Sequence, residues 1–210
     1  AEFLTQVENY NHALRQISPH SKYCKLVQAD DWISPNCLDE MVNAAETSES
    51  VSLVGSYTLH ELAPPDGDRP YVGNTGLPYT DRVVSGKQML RNYLLKQLSV
   101  FGSPTCVMYR AREIRSKPEF FDPASSVEDM QACFDLMQEG DFAFVHQVLT
   151  FNRRQRGSLY WDASQYDSFS LNAMILAHRH GAAIFPPAEY KDVLRRIESA
   201  YYYCLARALF

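Results

Sequence analysis

The sequence predicts an α/β fold of strands layered with helices, with a helical extension at the C-terminal end. Three observations carry this. Short apolar stretches of strand character alternate with segments whose apolar residues recur at helical spacing. The chain opens helix, strand, helix, strand, the pattern of α/β layering with parallel strands. Its 210 residues, 46% of them hydrophobic, suffice for one sizeable core or for one domain and an appendage.

Phe3, Val7, Tyr10, Leu14 and Ile17 share a helical period, so residues 3–17 read as a first helix with Asn9, Asn11 and His12 on other faces. Ser18-Pro19-His20-Ser21 ends it and feeds an apolar strand, Tyr23-Cys24-Lys25-Leu26-Val27, that runs into Gln28-Ala29-Asp30-Asp31-Trp32. Ser34 as N-cap and Pro35 at the first helical position start a second helix. Its inner stripe is Cys37, Leu38, Met41, Val42 and Ala45, and residues 51–57 form the next strand. Residues 63–86, rich in Pro, Gly and Asp, read either as a flap over a crevice or as a disordered insertion. Residues 87–98 return to a helical period, and Phe101-Gly102-Ser103-Pro104 turns into a strand over 105–109. Glu128-Asp129 opens a helix with Met130, Cys133, Phe134 and Met137 on one face and Gly140 at its end. A strand over 142–151 follows, then the basic cluster Arg153-Arg154-Gln155-Arg156. Phe169, Leu171, Met174, Ile175 and Leu176 suggest a helix ending near Gly181, and Pro186-Pro187 separates it from a last helix through Tyr190, Val193, Leu194, Ile197, Tyr201 and Leu205. The expected division is a domain over 1–165 and a helical extension over 166–210.

Composition narrows the function. A net charge of −5 and a pI near 5.7 argue against a nucleic-acid binder driven by overall charge. Five cysteines without a C-x-x-C pair suit buried thiols in a reducing compartment. No apolar run approaches the roughly 18 residues of a membrane span, and the opening residues do not read as a signal peptide. The chain starts Ala1-Glu2-Phe3-Leu4 without an initiator Met, which reads as an excised segment. Arg195, Arg196, Arg207 and the Tyr201–Tyr203 run fit a membrane-surface or oligomer contact, or packing against the main domain. His178 and His180 are expected at the surface near a helix end.

Two acidic pairs carry the chemistry. Asp30 and Asp31 follow a strand, where side chains point into the ligand crevice of an α/β sheet. Adjacent carboxylates repel, so a divalent cation or a polar ligand stabilises them. The same residues also read as a turn before a helix. Glu128 and Asp129 sit at a helix start, where Ser126-x-x-Asp129 also fits a capping box. The arginines of 153–156 suggest a phosphate partner or a solvated charge run.

Asn11-His12-Ala13-Leu14, Lys25-Leu26-Val27-Gln28-Ala29-Asp30-Asp31-Trp32 and Gly55-Ser56-Tyr57 occur in this order. Gly102-Ser103-Pro104-Thr105, Tyr109-Arg110-Ala111, Phe121-Asp122, Val127-Glu128-Asp129, Gly140-Asp141-Phe142 and the segment 153–158 follow. Together, over about residues 8–160, they resemble the bacterial family-2 glycosyltransferases of GT-A fold. The resemblance implies an incomplete GT-A domain, a Rossmann-like mixed sheet flanked by helices, and an inverting transfer from a nucleotide-diphosphate sugar to a glycan or lipid-linked acceptor, for cell-surface polysaccharide. It implies that Asp30 and Asp31 hold the donor's ribose and a Mg²⁺ or Mn²⁺ ion, Asp31 being the stronger metal candidate. Asp129, with Glu128 beside it, would be the general base, and Arg153, Gln155 and Arg156 would face the diphosphate. The implied location is cytoplasmic, peripheral at the inner membrane face.

Three features depart from that pattern. Gln28 stands where many relatives have Asp, and Gln155 stands where many have His. The family's opening nucleotide-binding strands would precede residue 1, which leaves Tyr23, Leu26 and Val27 on an exposed sheet edge and favours a homodimer. The competing expectation is a non-catalytic relic or partner-binding subunit.

Overall fold

The computed structural model describes residues 3–62, 69–154 and 168–209. Its elements are α1 (Gln6–Leu14), β1 (Tyr23–Cys24), β2 (Trp32–Ile33), α2 (Cys37–Ala45), β3 (Val51–Leu62), β4 (Tyr71–Gly73) and β5 (Val83–Val84). There follow α3 (Gly86–Leu94), a 3₁₀ turn (Pro104–Cys106), β6 (Val107–Arg110), α4 (Ala111–Arg115), α5 (Glu128–Glu139), β7 (Asp141–Arg154), α6 (Ser168–Ile184) and α7 (Pro187–Leu209). The fold is α/β with a mixed sheet flanked by helices. Strand order is β1-β6-β3-β7-β2, with β4 on β3 and β5 on β7. Only β3 and β7 run parallel among the described pairs, so the expected parallel layering holds at the centre alone.

Alternation along the central strands divides the core in two. Leu53, Val107, Tyr109, Phe142 and Phe144 face a large cluster under α1, α3, α5, α6 and α7. Val54, Met108, Ala143 and Val145 face the opposite way, onto Cys37, Met41 and Ala45 of α2. Helices on both faces are why residues 51–56 are buried without interruption. Ala173, Leu176 and Ala177 of α6 and Val193 and Ile197 of α7 belong to the larger cluster. Arg91 of α3 also pairs with Glu189 of α7 and lies 4.8 Å from the Phe185 ring centroid. At Gly86 a side chain is sterically forbidden, because a Cβ would collide with the Gly140 and Met137 carbonyls where α3 meets the end of α5.

Several local expectations are corrected. The first helix is shorter than 3–17, and Asn11 is buried rather than outward. Its amide grips Phe121 at both ends, Nδ2 donating to the carbonyl at 2.7 Å and Oδ1 accepting from the amide at 3.0 Å. A capping box that the sequence reading passed over starts this helix, with Thr5 and Glu8 exchanging bonds. The strand over 23–27 shrinks to Tyr23–Cys24, and Asp30-Asp31 occupy a turn ahead of β2 instead of a strand end. Asn36, not Ser34, stands at the α2 N-cap, and Leu38 is exposed. The stretch 63–86 contributes β4 and β5 to the sheet, while residues 63–68 lie outside the described residues. Residues 104–106 form a 3₁₀ turn before β6. The penultimate helix continues past Gly181, whose missing side chain makes room for the Tyr190 ring. His180 is buried, its Nδ1 2.8 Å from Gln138 Nε2, whereas His178 is exposed as expected. Val27 is exposed at the β1 side, with Tyr23 and Leu26 partly covered. Cys37, Cys106 and Cys133 are buried thiols, and all five cysteines are free. Among the described residues no helix is long and apolar enough to cross a membrane.

Candidate functional site

The first acidic pair sits in a turn closed by the Asp31 amide donating to the Gln28 carbonyl at 3.0 Å. Gln28 clamps this turn to two other segments. Its amide nitrogen donates to Thr105 Oγ1 at 3.1 Å, and its Oε1 accepts from Ser103 Oγ at 3.0 Å. Its Nε2 donates to the Tyr10 hydroxyl of α1 at 2.8 Å. The amide at this position therefore organises the loop 102–106 around the turn.

Asp30 is exposed, whereas Asp31 is half-buried and anchored. Asn152 Nδ2 donates to Asp31 Oδ2 at 2.5 Å, and the Arg153 amide donates to Oδ1 at 3.1 Å. Burial pushes the Asp31 carboxyl above its ordinary range and the charge of Asp30 adds to it, against the hydrogen bonds from Thr105, Arg153 and Asn152. Behind Asn152 a polar network enters the sheet. Cys106 Sγ donates to Asn152 Oδ1 at 3.3 Å, Thr58 Oγ1 donates to that sulfur at 3.3 Å, and Thr150 Oγ1 lies 2.7 Å from Thr58 Oγ1. Asn74, in the left-handed conformation, donates to Thr58 Oγ1 and the Ser56 carbonyl, both at 3.1 Å. Beside this network Lys25 Nζ donates to the carbonyls of Thr105 and Val107, and burial pushes its pKa down to about 8.

The second pair opens α5, but the expected capping box does not form. Val127 occupies the N-cap without a side-chain bond, Ser125 Oγ accepts from the Val127 amide, and Asp129 Oδ1 accepts from Met130 at 2.6 Å. Burial raises the pKa of Asp129 and of Glu128, and the charge of Asp129 adds to the effect on Glu128. No cation among the described residues opposes the shift at Asp129. Tyr93 is pushed up to about 12, by burial first and by Asp129 second.

The loop 102–106 lies between the two pairs. It takes Gln28 and Asp31 on one side through Ser103 and Thr105. On the other, a Cβ at Gly102 would lie 3.2 Å from Met130 Sδ, and Cys133 Sγ contacts the Gly102 carbonyl at 3.9 Å. Tyr10 spans the gap: its hydroxyl takes the Gln28 amide, and Asp129 and Glu128 add to the burial that raises its pKa. Arg153 is exposed, its guanidinium 5.9 Å from the Trp32 ring centroid, and Trp32 stacks on Phe151 at 5.6 Å. Gln155 and Arg156 lie outside the described residues.

The donor set fits a cation in part. Among the described residues no group of three or more His, Cys, Asp or Glu side chains could hold a metal. Asp30 and Asp31 offer two mutually repelling carboxylates at an exposed rim, so a cation held there draws its other ligands from a bound molecule's oxygens. Tyr10, Lys25, Thr105 and Asn152 were missed by the sequence reading. The signal available was a lysine interrupting an apolar strand and the polar alternation of Thr150 and Asn152 at the end of the strand read over 142–151.

No protein-family model matches the chain, and no curated protein matches it.

Proposed function

We propose that the chain carries the catalytic end of an inverting, nucleotide-sugar-dependent glycosyltransferase of GT-A type, acting on a glycan or lipid-linked hydroxyl. One observation carries the reading: two carboxylate pairs with unequal environments flank the loop 102–106. Asp129, partly buried with a raised pKa, suits a general base, because a more basic carboxylate takes a hydroxyl proton more readily near neutral pH. In this reading Asp129 removes the acceptor hydroxyl's proton as that oxygen attacks the anomeric carbon in line. The bond to the diphosphate oxygen breaks on the opposite face, which inverts the centre. Asp30 and Asp31 would hold Mg²⁺ or Mn²⁺, which offsets charge on the diphosphate. Arg153, exposed beside Asp31, adds a guanidinium to the same task.

A second reading, a partner-binding relic without chemistry, has one observation in its favour. Both oxygens of Asp31 already accept bonds from the protein.

Calorimetry of uridine and guanosine diphosphates with Mn²⁺, followed by turnover of the matching sugar nucleotides, separates the two. The transferase reading expects metal-dependent binding that Asp31→Asn weakens and turnover that Asp129→Asn abolishes. Nucleotide binding that neither Mn²⁺ nor Asp31→Asn alters would favour the relic.

A further inference from the structure

A groove of about 320 Å³ lies away from both acidic pairs, between the outer side of α2 and the segment entering β5. Tyr79, Arg82, Glu40, Asn43, His146 and Gln147 line it. It sits beside an irregular part of β7, where pairing with β3 steps from Ser56↔Val145 to Tyr57↔Val148. The step frees His146 and Gln147 from the ladder and turns them toward α2 and Tyr79.

The Tyr79 ring is 72% exposed, yet it is held in place. Its centroid lies 5.0 Å from the His146 ring, and His146 is fixed at both nitrogens. Nε2 is 3.0 Å from the Asp81 carbonyl, which can only accept, so Nε2 carries the proton. Nδ1 then accepts from the Tyr57 hydroxyl at 2.9 Å. The result is an aromatic platform facing solvent on a braced support.

Around it stand three polar side chains without work inside the fold. Among the described residues, Glu40, Asn43 and Arg82 have no side-chain hydrogen bond or ion pair. Their chemistry selects the ligand. A bound anion would face the Glu40 carboxylate, and a bound cation would face the Arg82 guanidinium. A neutral ligand whose groups both donate and accept satisfies all three, and vicinal hydroxyls do this. An apolar ring face on the same ligand would cover Tyr79. A pyranose combines these properties, and the groove's volume falls within the range of small-molecule sites.

We propose that this groove is a saccharide-binding subsite for a neutral glycan, with Tyr79 as stacking platform and Glu40, Asn43 and Arg82 as hydroxyl partners. The inference does not depend on the transferase reading. Along β7, His146 stands roughly 20 Å from Asn152 at the acidic site.

The test is an array of defined neutral and charged oligosaccharides probed with the whole chain, followed by NMR titration of the strongest binder. The expected result is weak binding of a neutral glycan, with shift changes at Tyr79, His146 and α2. Tyr79→Ala and Arg82→Ala should each weaken it about tenfold, Tyr79→Phe should keep it, and Asp31→Asn should leave it unchanged. Both altered residues are exposed, so the variants keep the fold. Three outcomes overturn the proposal: no glycan bound, binding indifferent to Tyr79→Ala, or binding that Asp31→Asn removes. Loss of nucleotide turnover with glycan binding intact would count against the transferase reading alone.

Discussion

Asp30-Asp31 and Glu128-Asp129 look alike in the sequence and differ in the fold. The first pair is provided for: Asn152, Thr105 and the Arg153 amide bond Asp31, and Lys25 adds a buried cation nearby. Among the described residues the second pair has burial and backbone amides only, those of Met130 and Asp129 at Asp129 and its own at Glu128. Side-chain and backbone donors hold the Asp31 carboxyl in position and offset part of the burial that raises it. Among these residues Asp129 has no side-chain donor and is left freer to exchange a proton with a bound molecule. Under the proposed function, holding falls to the first pair and proton transfer to the second.

The largest expected effect separates these roles. Asp129→Asn should lower turnover by roughly 10²–10⁴-fold. Its thermal midpoint should stay level or rise, since the change removes a charge that burial disfavours. Steady-state kinetics and calorimetry on one preparation check both. A fall in stability with turnover intact would make Asp129 a structural acid and erase the contrast.

Next in size is a pH effect at Lys25, which among the described residues is a cation near the first pair and not the second. Its folded pKa of about 8 lies below the ordinary 10.5, so its stabilising contribution is complete above the unfolded value and is lost as pH falls through the folded one. Stability should rise from pH 8 to 10.5, on the order of 3 kcal/mol for this group alone. The raised carboxyls act oppositely: their contribution is complete below the unfolded value and is lost as pH rises through the folded one, a window in the acid range. Urea titrations at pH 7 and 9.5 should show a gain in the parent that Lys25→Met abolishes.

The order of elements was readable because apolar period is a local property: strands at Leu53 and Phe142 and helices at Met41 and Phe134 lie where spacing puts them. What escaped depends on partners distant in the chain. Asn11 looked outward because nothing local reveals Phe121, and His180 looked exposed because Gln138 lies on another helix. The strand over 23–27 broke because Lys25 turns to the Thr105 and Val107 carbonyls and Gln28 is drawn to Ser103 and Tyr10. Both acidic pairs were singled out in the sequence, but the difference in their surroundings was not. It is set by Asn152 and Thr105, more than seventy positions from Asp31.

A smaller effect is expected from removing one of those donors. Asn152→Ala leaves the half-buried Asp31 oxygen without its 2.5 Å partner and should cost about 1–3 kcal/mol. Asn152→Asp should cost more, because a second carboxylate would face Asp31 directly. Chemical denaturation orders the variants, and Mn²⁺ should recover part of the Asn152→Asp loss by neutralising the pair. Equal stability of the two variants, with and without Mn²⁺, would break the claim that Asn152 holds the Asp31 carboxyl.

The smallest effect supplies the control for the capping reading of Asp129. A genuine cap exists at α1, where Thr5 Oγ1 accepts from the Glu8 amide at 3.3 Å and Glu8 accepts from the Thr5 amide at 2.8 Å. Thr5→Ala should cost about 1 kcal/mol, the ordinary worth of such a cap. It should leave turnover unchanged, because α1 reaches the site through Tyr10, more than one turn further along. Ser126→Ala is its counterpart at α5 and should cost less, since Val127 holds the N-cap without a side-chain bond. Thermal melts of the two single variants give the ordering. If Ser126→Ala proved as damaging as Thr5→Ala, a capping box would exist at α5, and Asp129 would belong with the acids that hold the fold together.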